Sequence, residues 1–143
     1  MVVAVDETLF PDIQEVLMVY LAPLGETDTE PPILDDADDP DAVGVGIQIN
    51  RVGGHNDGIS DYPRVQITCH HPDPRGASLL ARRVANYMER IIDASIFVED
   101  EPKPIGVDSC RVDTPPESEP YENPDARREV AFYALSLQKP WRI

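Results

Sequence analysis

Residues 62–93 constrain the fold more than any other part of the chain, because an alternating strand there runs through the turn HPDP straight into a two-faced helix. Val65, Ile67 and Cys69 fall on one side and Arg64, Gln66, Thr68 and His70 on the other, the period of two that a half-buried strand requires. Asp73 is placed to cap a helix whose first position is Pro74, where a missing N–H costs nothing. Leu80, Val84, Tyr87, Met88, Ile91 and Ile92 then recur at helical spacing, with Arg82, Arg83, Asn86, Glu89 and Arg90 on the remaining surface. Such a helix must lie across a sheet.

The rest of the chain supplies a second helix and more strands. From Pro11, the residues Ile13, Val16, Leu17, Tyr20, Leu21 and Leu24 step by three and four, and Gly25 marks the stop. Val43, Val45, Ile47 and Ile49 alternate with Gly44, Gly46, Gln48 and Asn50, which predicts a strand whose glycines let another backbone approach. The connection GGHNDGISDY is too long for a two-residue turn and predicts a projecting antiparallel loop. Residues 95–98 read as a short extra strand or an irregular link, 105–112 as a third main strand and 128–138 as a fourth. In this last strand Val130, Phe132 and Ala134 face one way and Ala131, Tyr133, Leu135 and Leu137 the other. Both faces are therefore expected to be covered, by helices on either side or by a subunit contact. The predicted class is α/β in the α+β sense: a mixed, mainly antiparallel sheet of about four strands with two principal helices, ordered helix-strand-strand-helix-strand-strand. Residues 1–143 read as one domain with an acidic loop at 26–41 and a Pro-rich loop at 115–125, whose prolines argue against regular structure.

Charge matters more when divided than when summed. The net charge is −15, but residues 1–62 hold 14 acids against the single base Arg51, and 63–143 hold 13 acids against 11 bases. Duplex DNA would be repelled by the first part, since nonspecific affinity rests on cationic side chains displacing counterions from phosphate. No apolar run approaches the roughly 20 residues of a membrane helix, and the start MVVAVDETLF lacks a secretory signal, so a soluble, intracellular chain is expected. Cys69 and Cys110 in strand-like segments suit reduced, buried thiols better than a disulfide framework.

Candidate chemistry is sparse. Cys69, His70, His71 and Asp73 combine ligand types suited to zinc, but adjacent strand residues point to opposite faces and no second ligand pair exists, so a metal-dependent hydrolase is the weaker reading. No serine sits in a nucleophile elbow or triad motif, and no glycine loop precedes a helix to cradle phosphate. No catalytic, cofactor-binding or metal-ligating residue is therefore assigned. Asp35, Asp36, Asp38 and Asp39 miss the spacing of a calcium loop and read as a solvated acidic loop. Arg82, Arg83 and Arg90 with Arg75 give the second helix a basic flank. Its bland reading is a solvated face, and its sharper one a contact with the acidic loop of the next subunit.

The segments PDIQEVLMVYL, DYPRVQITCH, ASLLARRVANYMERII, VDSCRVDT and RREVAFYALSLQ, with Arg142 near the end, together resemble the tail terminator proteins of long-tailed phages, also called tail completion or head-tail joining proteins. The phrase Asp61–Tyr62–Pro63–Arg64–Val65 leading into the arginine-containing helix carries most of the likeness. The resemblance implies a virion protein and not an enzyme: a homo-oligomeric ring, usually a hexamer, that caps the tail tube, ends its polymerisation and meets the head-tail connector. It carries no catalytic residue onto this chain and implies no cofactor and no membrane. A channel that DNA must slide through favours negative walls, which makes Asp35, Asp36, Asp38 and Asp39 candidates for the lumen. The alternatives are a neck or head-completion connector and, from another class, an acidic DNA mimic that blocks a DNA-binding protein.

Overall fold

The computed structural model describes residues 8–32, 44–119 and 127–139. The elements run α1 (Ile13–Leu21), β1 (Thr27–Asp28), β2 (Gly46–Asn56), β3 (Ser60–His71), α2 (Pro74–Glu89), β4 (Ser109–Glu119) and β5 (Arg127–Gln138). The strands form one five-stranded mixed sheet, ordered β1-β2-β3-β5-β4. Only β1 is parallel to its neighbour; the β2–β3, β3–β5 and β4–β5 pairs are antiparallel. The α+β class expected from periodicity holds, with a fifth strand added.

Each helix starts where its cap predicts. The Asp12 carboxylate accepts from the Gln14 N–H at 2.9 Å, and that of Asp73 from the Arg75 N–H at 3.1 Å, with Pro74 at the first helical position. α1 buries Ile13, Val16, Leu17 and Leu21, then tightens into a 3-10 turn through Pro23. α2 buries Ala77, Leu80, Ala81, Val84 and Met88. All of these except Ala77 join Ile47, Ile49, Val65, Ile67, Cys69, Ala131, Tyr133, Leu135 and Leu137 in one core cluster. The register pairs Ile49 with Ile67, and Ile67 with Ala131, so these side chains share one face of the sheet.

Both helices therefore cover the same face, which corrects the expected sandwich: α1 lies over β1 and β2, and α2 over β3, β5 and β4. They meet where the Tyr20 hydroxyl donates to the Tyr87 carbonyl at 2.5 Å. The opposite face is covered locally by its own long side chains. The Arg64 guanidinium lies 4.3 Å from the centre of the Phe132 ring while its Nε donates to Asp113 at 3.0 Å. Gln48 and Asn50 reach the Thr29 carbonyl at 3.4 and 2.8 Å, and Pro32 packs where a side chain on Gly46 would stand. The close backbone approach expected at that glycine is made by the Glu26 carbonyl, just before β1.

Three sequence expectations change. The stretch read as a featureless loop at 26–41 contains β1 at Thr27–Asp28, too short to show a period. The Pro-rich stretch from 115 is not loop at its start: β4 runs through Pro115 and Pro116 to Glu119. It can do so because β4 is an edge strand and its register shifts between Val112 and Thr114 and again between Thr114 and Glu117, where missing N–H donors cost no ladder bond. The α2 periodicity also runs three residues past the end of the helix at Glu89. Ile91 is buried in a 3-10 turn, whereas Ile92 is exposed.

Candidate functional site

The cysteine–histidine cluster is taken apart by the pleat of β3. Cys69 is buried on the helix side, where desolvation pushes its thiol up to about 12. His70 points to the other face, its Nε2 2.9 Å from the Gln48 amide oxygen, with burial first and then Arg128 lowering its pKa to about 4. His71 accepts the Asp73 N–H through Nδ1 at 2.9 Å and so helps set the entry to α2. Among the described residues no group of His, Cys, Asp and Glu is placed to hold a metal ion. Cys69 and Cys110 are both free thiols, on strands separated by β5. No described helix is long and apolar enough to cross a membrane.

What the fold does assemble is a surface divided by charge. On α2, Arg75, Leu79, Arg82, Arg83, Asn86 and Arg90 are all exposed. Leu79 is 53% exposed and stands one helical turn from Arg75 on one side and from Arg82 and Arg83 on the other, so an apolar spot is ringed by guanidinium groups. Glu89 is the single acid on this helix. The helix thus brings the expected contact residues Arg82, Arg83 and Arg90 onto one solvent-facing flank.

The other helix carries the opposite sign. Residues 8–32 contain no base, and Asp12, Glu15, Glu26, Asp28 and Glu30 are all exposed. Val19, 43% exposed, lies one turn after Glu15 on the same solvent-facing stripe. Because α1 sits over β1 and β2 while α2 reaches β4, the acidic and basic flanks are set toward opposite edges of the sheet. The sequence showed the arginines; the acids at the β1 edge needed the fold, since Thr27 pairs with Ile47 and faces α1 while Asp28 pairs with Gln48 and faces away, so Glu15 and Asp28 stand on the two sides of one sheet edge. Asp35, Asp36, Asp38 and Asp39 lie outside the described residues.

A third feature is the β2–β3 hairpin, whose residues 51–59 are all exposed. At its base Arg51 grips Asp61 with two hydrogen bonds, at 2.7 and 2.8 Å. Asp61 is only 2% exposed; its hydrogen bond is the first cause, ahead of desolvation, that raises the Arg51 pKa on balance. His55 and Tyr62 stack with ring centres 5.0 Å apart, and the Asp57 carboxylate accepts from the Ile59 and Ser60 N–H groups at 2.9 and 2.7 Å, which holds its pKa low. Gly54 has φ +105, and a Cβ there would collide with the Tyr62 carbonyl. These contacts brace an exposed hairpin from its root to its turn.

No protein-family model and no curated protein matches the chain. Among solved structures, the chain is similar to one from the virion of the native gene transfer agent (GTA) particle, with a TM-score of 0.51, 15% identity and coverage of 84% of each chain. At that identity the likeness is one of fold.

Proposed function

We propose that this chain is a structural protein of a phage-like virion and acts as a tail terminator: copies form a ring of six on the head-proximal end of the tail tube. The ring ends polymerisation by covering the growing end and offers the head connector a surface to dock on. The observation that carries this reading is the fold likeness to a chain of the GTA virion across 84% of both chains. The residue patterns that resemble tail terminators support it, Asp61–Val65 above all. In this reading the chain works by shape and charge and turns over no substrate. Asp35, Asp36, Asp38 and Asp39 contribute to a negative lumen through which DNA slides without specific binding. A DNA mimic would need acids at regular spacing along one helix or strand, whereas the longest described helix, α2, presents arginines.

Deleting the gene from its particle and imaging the products tests the proposal. Headless tails of uncontrolled length are expected; tails of normal length beside filled heads would assign the chain to the neck instead. Replacing Asp35, Asp36, Asp38 and Asp39 by Asn should slow DNA ejection while leaving particle yield intact, and unchanged ejection would remove these residues from the lumen.

A further inference from the structure

We infer that the acidic sheet edge at α1 and β1 in one copy docks on the arginine-ringed Leu79 of α2 in a second copy, head to tail. This rests on the self-assembling role proposed above but names the surfaces that meet. Each flank has the anatomy of an interface, an exposed apolar residue within a charged rim: Val19 beside Glu15, and Leu79 between Arg75, Arg82 and Arg83. The rims are of opposite sign. In a chain of net charge −15, two copies repel in most orientations, and the α2 flank, with four arginines and one glutamate over residues 74–90, is the surface on which acids of a neighbour are attracted. The loop that follows, residues 91–108, is acidic again, with Asp93, Glu99, Asp100, Glu101 and Asp108 against Lys103, which confines the attraction to the helix flank. The two flanks lie toward opposite sheet edges, so one copy engages a neighbour on each side. That is a heterologous contact, which closes into a ring or runs on as a filament rather than stopping at two.

Two charge-reversed chains test this. One carries Arg75→Glu, Arg82→Glu and Arg83→Glu; the other carries Glu15→Lys, Glu26→Lys and Glu30→Lys, leaving the capping Asp12 untouched. Sedimentation velocity of the full chain should show wild type forming species larger than two copies, and each variant associating about tenfold more weakly or worse. Mixing the two variants should restore assembly, because each then offers the other its complement on both sides. The second variant is less negative than wild type, so its loss of assembly cannot come from added repulsion. Circular dichroism and thermal unfolding are used to check that both variants fold. A wild-type chain that stays monomeric, assembly that stops at two copies, variants that assemble like wild type, or folded variants that fail to complement each other would each overturn the inference. None of these outcomes bears on the deletion phenotype: a ring built through other surfaces leaves the terminator reading standing, and complementation without a tail defect leaves only the contact.

Discussion

His70 shows how a residue that looks chemical in the sequence becomes structural in the fold. At 2% exposure its imidazole is held neutral, with a pKa of about 4 against an ordinary value of 6.5, first through desolvation and then through Arg128. The sign follows from linkage: the unfolded chain binds the proton more readily, so this contribution is complete above pH 6.5 and is lost as pH falls toward 4. Going from pH 7 to 4.5, the loss of stability amounts to about 2 kcal/mol. Urea unfolding of wild type and His70→Gln at the two pH values should show the variant losing less stability by about that amount, and equal losses would mean that His70 does not titrate in this way. Tyr133 poses the reverse case. Its hydroxyl is fully buried and finds no hydrogen-bond partner among the described residues, so Tyr133→Phe should be neutral or stabilise by up to about 1 kcal/mol. A loss above about 1 kcal/mol would show that a buried water or another group satisfies the phenol.

At the scale of elements, the β2–β3 hairpin depends on Arg51 and Asp61. The pair spans the two strands at the root of the projection, and Asp61 is the partner withdrawn from water. Asp61→Ala should cost about 2 kcal/mol in urea unfolding, below the full penalty of breaking a buried pair because Arg51 keeps access to solvent. Hydrogen exchange of the amides at 51–60 should accelerate more than that of β5, and uniform acceleration would argue against a local lock. This explains what the phrase Asp61–Val65 encodes. Asp61 fixes the root, Tyr62 stacks on His55, Pro63 sits where the ladder to β5 lacks a pairing, Arg64 covers Phe132, and Val65 enters the core. The elements legible from the sequence were those with a long period and a cap: both helices, the core of β2, β3 and β5. Those that escaped have no period to read. β1 is two residues long, and β4 runs through prolines that a central strand would not tolerate and an edge strand does. Of the two covers expected for the second face of β5, a helix or a subunit contact, the helix is not found there among the described residues: both helices lie on the other face, and Arg64 covers Phe132 from within the sheet.

For the molecule as a whole, the informative property is the contrast between the basic α2 flank and the acidic β1 edge, and it was only half visible in the sequence. The arginines of α2 stood out because they share one helix; the acids of α1 and β1 were hidden in a general excess of acid, and it took the element order to place them toward the far edge. The adjacent leucines of α2 turn this into a contrast. Leu80 is 6% exposed and faces the core, whereas Leu79 is 53% exposed among arginines. Leu80→Ala should therefore destabilise the free chain by about 2–5 kcal/mol, the range for truncating a core leucine. Leu79→Ala should leave unfolding within about 0.5 kcal/mol of wild type, as expected of a surface position. If the flank is a docking surface, the same Leu79→Ala chain should assemble several-fold more weakly, since residues at the apolar centre of an interface carry more of its energy than the charged rim. Pairing chemical unfolding with sedimentation on the two variants separates folding from association. A Leu79→Ala chain that folds and assembles as wild type does would leave the arginine flank a solvated surface and nothing more.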